Sequence, residues 1–164
     1  MLNPRELLDR AEMLTDPVMI VDRILRAGLY SRASDVHFDP AADIVRVRFR
    51  IDGCLEDVLM LPASMQAGVV SRLKVLAKLD IAERRAPQDG GFSWRLPGPS
   101  AGASSPLDVR MATFPVRYGE RVTLRLLETG GRRLSLDDLG MSAADRHHLF
   151  DLAFTKIKGV LDRS

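Results

Sequence analysis

The chain has 164 residues, with 24 Lys+Arg against 22 Asp+Glu for a net charge of +2, and is 46% hydrophobic, 28% charged and 5% aromatic. That length suits one domain of roughly 100–200 residues with an ordinary core. The balanced charge and scarce aromatics argue against nucleic acid as a partner, and no apolar run reaches the ~18 residues of a membrane span, so a cytoplasmic protein without a transmembrane segment is expected.

Asn3-Pro4-Arg5-Glu6 joins a capping residue, a first-turn proline and a capping-box acid, which predicts a helix with Leu7, Leu8, Ala11 and Leu14 on one face. Asp16-Pro17 repeats the start signal, and Val18, Val21, Ile24, Leu25 and Leu29 form the buried stripe of a second helix. The two make an αα-hairpin or one bent helix.

After Asp35 the period becomes two. Val45, Val47, Phe49 and Ile51 alternate with Arg46, Arg48 and Arg50, which reads as a half-buried strand with a cationic outer face. Asp52-Gly53 is a two-residue hairpin signal, and Cys54 to Met60 returns as the partner strand. Cys54 is the single cysteine, so it forms no internal disulfide, and its role is in the core or the hairpin.

Pro62 and Ser64 lead into a third helix with Met65, Val69, Leu73, Leu76 and Ala77 on its apolar side, while Lys74 and Lys78 fall off that stripe. Pro87 to Gly91 reads as a turn, Phe92 to Leu96 as a short strand, and Pro97 to Pro106 as an exposed loop. Strands are expected at about 107–113 and 121–127. Ser142, with Asp145 three residues later, starts a last helix reaching the Phe154 region. The whole is α+β: helices, then a mostly antiparallel sheet wrapping one more helix.

Arg110 and Arg125 interrupt segments that otherwise read as buried strands. A guanidinium in such a place needs an anion, and phosphate matches its fork. The anion is either a ligand or a carboxylate of the chain, for example Asp108, Glu120 or Glu128. The Arg46, Arg48 and Arg50 stripe is most simply a solvated face, with phosphates or an acidic partner as the functional alternative. Ser34 and Asp35 are expected to bond local backbone amides in a turn that His37 helps to hold. The charged stretch from Asp80 to Gly90, Asp89 included, reads as an interface or ion-pair loop. No phosphate loop, dinucleotide fingerprint or nucleophile elbow is present, so the chain by itself is not expected to hydrolyse ATP.

Ala33-Ser34-Asp35-Val36-His37-Phe38-Asp39-Pro40, Arg48-Phe49-Arg50-Ile51-Asp52-Gly53, the stretch from Ser71 to Arg85 and the turn Pro87-Gln88-Asp89-Gly90 follow one another in a set order. The Arg110 strand and the run Gly119 to Leu127 complete the series. This series resembles the hexameric ATPases of type II secretion and type IV pilus assembly, over roughly Pro17 to His148. The resemblance implies the PAS-like α+β domain that precedes the ATPase core, packing on its own core across the nucleotide cleft and on a neighbouring subunit. It implies that Arg110 and Arg125 reach the terminal phosphate of ATP when the cleft closes, and leaves His37 undecided.

The domain organisation implied is a helical segment at 1–31, the PAS-like domain at 32–141, and a helix with the start of an ATPase core at 142–164. ATP and Mg are expected only with a core, and no catalytic or metal-binding residue of the chain itself. Expected partners are the P-loop core of the same or a neighbouring subunit and platform proteins at the inner membrane. An adaptor that binds secretion proteins without nucleotide, through Arg46, Arg48, Arg50 and Asp89, is the other reading. The family's phosphate loop would follow the end of this chain, so a truncated chain, a stand-alone remnant or half of a split protein is expected. Gly91 stands where the family commonly has arginine.

Overall fold

The computed structural model describes Arg5, Leu8 and residues 15–95, 107–128, 140–142 and 144–152. Helix α1 spans Pro17–Tyr30, and Asp16 caps it by accepting a hydrogen bond from the Val18 amide at 2.9 Å. Asp16→Ala is expected to cost about 1 kcal/mol of stability, read as a lower urea midpoint with an unchanged m-value. The buried side of α1 is Ile20, Val21, Ile24 and Leu25, whereas Val18 is exposed. Val18 lies in the first turn, ahead of the stripe that meets the sheet. The expected earlier helix lies outside the described residues, except that Leu8 is buried and Arg5 donates to the Asp57 carbonyl at 3.0 and 3.2 Å.

The sheet strands are β1 (Asp35–Pro40), β2 (Ile44–Ile51), β3 (Cys54–Pro62), β4 (Gln88–Trp94), β5 (Leu107–Val116) and β6 (Gly119–Glu128), with helix α2 (Gln66–Leu76) between β3 and β4. All pairings are antiparallel, in the order β3-β2-β1-β6-β5-β4. The first and last strands are therefore neighbours at the centre. This is the expected PAS-like α+β arrangement, with a helix ahead of the sheet.

Asp52 and Gly53 both take positive φ, 49° and 83°, as the twist of a two-residue hairpin demands, and leave Cys54 exposed at the start of β3. Farther along, β3 carries one extra residue: Val47 pairs with Leu59 but Arg48 with Asp57, so Val58 and Leu59 are both buried. The predicted turn at Pro87 to Gly91 is instead largely strand, because Gln88–Gly91 pair with Arg110–Thr113 of β5. Glycine at 90 serves close approach there, since a Cβ would stand 3.0 Å from the Ala77 carbonyl and 2.8 Å from Leu79.

One face of the sheet is apolar. Val36, Phe38, Val45, Val47, Phe49, Val109, Met111, Val122 and Leu124 are all at or near full burial and form one core with the helices. Gly28 of α1 faces Leu126, Val36 and Phe49 on that side. Both helices end in a six-to-one and five-to-two bond pair, Ala33 to Gly28 and Arg32 to Leu29, then Leu79 to Lys74 and Lys78 to Val75. Arg32 and Lys78 hold the left-handed position usually given to glycine, with φ of 53° and 57°.

Lys74, expected outside the apolar stripe, is only 1% exposed. Its Nζ lies 2.5 Å from Glu120 Oε1 of β6 and donates to the Glu83 carbonyl at 2.6 Å. The helix faces the sheet with a wider arc than the apolar residues mark, and a long stem lets lysine be buried if its charge is met.

The chain divides into compact units at 1–129 and 130–164. In the second, Ser142 and Asp145 cap the predicted helix at 144–152: the Ser142 hydroxyl donates to Asp145 at 2.6 Å and accepts from its amide at 3.1 Å. The expected continuation to Phe154 and the loop Pro97 to Pro106 lie outside the described residues. Among the described residues no helix is long and apolar enough to cross a membrane.

Candidate functional site

Alternation along the strands gives the sheet a second, polar face. Its residues are Arg46, Arg48 and Arg50 of β2, Asp35, His37 and Asp39 of β1, Arg121, Thr123 and Arg125 of β6, Asp108, Arg110 and Ala112 of β5, and Asp89, Gly91 and Ser93 of β4. Strand register turns this list into rows. Arg50, Asp35, Arg125, Arg110 and Gly91 follow one another across five strands. Arg48, His37, Thr123, Ala112 and Asp89 make the next row.

The predicted phosphate-binding arginines are thus brought together as directly opposed residues. They do not interrupt a buried face; both are exposed, on the polar side of strands whose other side is buried. Of the carboxylates suggested by sequence spacing, Asp108 and Glu120 do not meet them. Arg125 Nε lies 3.2 Å from Asp35 Oδ1, Glu120 pairs with Lys74, and Asp108 accepts from the Ser93 hydroxyl at 2.6 Å. Arg110 has no ion pair or hydrogen-bonded partner among the described residues. Like charges directly opposed across strands repel. The first row therefore holds three arginines against one carboxylate, with Gly91 at its end, where a Cβ would stand 3.7 Å from Arg110 Cδ. A depression of about 430 Å³ lies here, lined by Asp89, Gly90, Arg110, Met111, Ala112, Thr123 and Arg125.

The rest of the arginine stripe is neutralised locally. Arg48 donates to Asp39 Oδ2 through Nε at 2.9 Å and Nη2 at 2.6 Å, and Arg121 Nε lies 2.6 Å from Asp39 Oδ1. Arg46 reaches Asp57 at 3.7 Å, and Arg50 reaches Asp35 at 3.4 Å and the Gly53 carbonyl at 3.0 Å. Asp89 sits on the edge strand β4, exposed and opposite Ala112. The stretch around it is tied down mainly by its own groups: Gln88 bridges the Asp80 amide, the Asp80 carbonyl and the Glu83 carbonyl.

Asp35 is the residue whose part the sequence concealed. It begins β1 and caps no backbone amide among the described residues; its Oδ2 accepts from the Ser34 hydroxyl at 2.8 Å. Burial pushes its carboxyl up, but the Ser34 hydroxyl and then the Arg125 guanidinium, by hydrogen bond and charge, hold it below the usual value. His37, expected at a turn, lies within β1, with Nδ1 3.3 Å from the Thr123 hydroxyl and a buried Nε2 that has no hydrogen-bond partner among the described residues. Burial lowers its pKa below 6.5, Asp39 and Asp35 oppose that shift, and Arg48 and Arg50 add to it.

A histidine with a lowered folded pKa binds its proton more readily when unfolded. Stability is therefore lost as pH falls through about 6.5 toward the folded value, and is constant again below it. His37→Gln is expected to flatten this part of the profile, read from urea midpoints between pH 7.5 and 5. The Asp35 contribution is separate, because a lowered carboxyl pKa loses its stabilising effect only below about 3.8.

Residues 12–161 match the profile of the family described as Type II/IV secretion system protein. The chain belongs to that family. The type II secretion system protein E of Pseudomonas aeruginosa is 42% identical over 144 residues, 88% of this chain and 27% of that protein. The protein E of Dickeya dadantii is 41% identical over 132 residues, covering 80% and 25%, and the type II secretion system ATPase E of Vibrio cholerae is 41% identical over 126, covering 77% and 24%. The chain therefore spans about a quarter of the length of these curated relatives. A solved structure of the pilus retraction motor PilT with bound ADP aligns at a TM-score of 0.44 and 22% identity, over 66% of this chain and 29% of that one. On the polar face of this chain, the row of Arg50, Asp35, Arg125 and Arg110 is the part with charge to spare.

Proposed function

We propose that this domain serves a secretion or pilus-assembly ATPase by closing over ATP held on a P-loop core, with Arg110 and Arg125 meeting the terminal phosphate. The core, from the same or a neighbouring subunit of a hexamer, would bring the ATP and Mg. One observation carries the reading: of two directly opposed arginines only Arg125 has a carboxylate, Asp35, which it shares with Arg50, and Arg110 has no partner among the described residues. Such a pair gains most from a multiply charged anion, because each guanidinium presents a planar fork suited to phosphate oxygens. Once water is excluded, the two charges would oppose the negative charge that grows as the phosphoryl group transfers.

The domain boundaries follow the same proposal, with 32–141 as the closing body and 142–164 leading toward the core. Platform proteins at the inner membrane would receive the movement. The adaptor reading has less support, since Arg46 and Arg48 each have a carboxylate, Arg50 shares Asp35 with Arg125, and Arg110 lies outside that stripe.

ATP turnover by the matching P-loop core, mixed with or joined to this chain, tests the reading. The chain is expected to stimulate turnover, and the Arg110→Ala/Arg125→Ala chain to fail to do so while still binding. Equal stimulation by both chains would remove the arginines from the reaction.

A further inference from the structure

We propose that Asp35 is the positioning residue for Arg125, fixing the guanidinium by its Nε so that both terminal nitrogens are left for the phosphate. The inference rests on the phosphate reading above and adds a residue on a different strand to it.

The geometry supplies an anchor and a free end. Asp35 Oδ1 accepts from Arg125 Nε at 3.2 Å, and no other hydrogen bond of Arg125's side chain occurs among the described residues. The Asp35 side chain is 10% exposed against 68% for Arg125, so the anchor is sheltered while the fork projects. Asp35 is itself held: Ser34 donates to its other oxygen at 2.8 Å, and Arg50 Nε stands 3.4 Å from that oxygen. Register keeps Asp35 between the two arginines, opposite Arg50 on one side and Arg125 on the other.

This arrangement matters because arginine is long and its rotamers are many. A guanidinium fixed at Nε keeps its plane and direction before the ligand arrives. One bound through both terminal nitrogens would be occupied instead, and one with no anchor would have to be ordered during closure. Displacement of a reacting group's partner by about 1 Å can cost about a hundredfold in rate.

The turnover assay above decides it with Asp35→Ala, Asp35→Asn, Arg125→Ala and the Asp35→Ala/Arg125→Ala pair. Asp35→Ala is expected to lower kcat about tenfold to a hundredfold, with KM for ATP altered far less. Asp35→Asn keeps an oxygen for Nε and is expected to recover part of that loss. In the Arg125→Ala background, Asp35→Ala is expected to add nothing, because it acts through the missing side chain. The Nε–H resonance of Arg125, followed in ¹⁵N spectra of this chain, is expected to move in Asp35→Ala.

If Arg125→Ala slows turnover but Asp35→Ala does not, or if the two losses multiply, the positioning role is overturned and the phosphate reading stands. If Arg125→Ala has no effect, the phosphate reading itself fails and the role falls with it. Should Asp35→Ala not fold, Asp35→Ser, polar but too short to reach Arg125 Nε, with a full kcat and an unmoved Arg125 resonance overturns the proposal equally.

Discussion

Turnover with Arg110 and Arg125 both changed to alanine is expected to fall about 10³-fold, with KM for ATP nearly unchanged. The magnitude is that of an arginine lent to a phosphoryl-transfer site, at the low end because these side chains start out exposed. The split between kcat and KM follows from when the contact matters. A charge that opposes only the negative charge of the transition state does little for ground-state binding. Arg110→Ala by itself should hardly alter folding, since Arg110 has no partner among the described residues and its removal relieves repulsion from Arg125. Arg125→Ala gives up the bond to Asp35, which keeps Ser34 and Arg50 beside it, so a small drop in the urea midpoint is expected from that change and none from Arg110→Ala. Lysine at both positions keeps the charge and loses the fork, so it should recover only part of the rate. An unchanged kcat in the alanine pair would end the phosphate reading.

Lys74→Met is expected to destabilise the domain by about 3–5 kcal/mol, a large share of the roughly 5–15 kcal/mol that holds a domain of ordinary size. The loss comes from what remains behind. Glu120, 8% exposed at its side chain, would be left as a buried carboxylate without its cation, and the Glu83 carbonyl would keep only its longer bond from Gln88. Restoring charge balance with Lys74→Met/Glu120→Leu should recover most of the stability, because a well-packed apolar pair can replace a buried ion pair with little cost or some gain. Urea unfolding of the three variants at pH 7 measures both steps. A double variant as unstable as the single one would mean that the Glu83 contact, and not the ion pair, carries the effect.

The parts of this fold that were legible in the sequence are those whose cause is local. Alternation in Val45 to Ile51 marked both the buried face and the arginine face of β2, and Asp52-Gly53 marked a hairpin that the left-handed φ values explain. Asp16 and Ser142 announced their helices by the same chemistry that caps them. What escaped was set by partners far along the chain. Gly90 resembles a turn residue but is glycine for the sake of Ala77 and Leu79, which press on that strand. Lys74 looked solvated because its counter-charge, Glu120, stands 46 positions later on β6. The site was half legible: a resemblance to known ATPases pointed to Arg110 and Arg125, but their neighbourhood depended on register. Carboxylates near in sequence were the natural candidates for Arg125, whereas Asp35 reaches it only because β1 and β6 are paired.

That pairing also dictates a schedule. With β1 and β6 adjacent at the centre, two three-stranded halves, one from each end of the domain, meet along a seam formed by strands some 90 residues apart. Such distant closure slows folding, and during synthesis the first half must wait on the ribosome with the inner edge of β1 unmatched until residue 128 has emerged. A nascent chain interrupted before that point would hold Val36 and Phe38 without the strand that neighbours them. The pairing of Asp35 with Arg125 therefore cannot form before residue 125 has been made, and its presence reports that both halves of the sheet have joined.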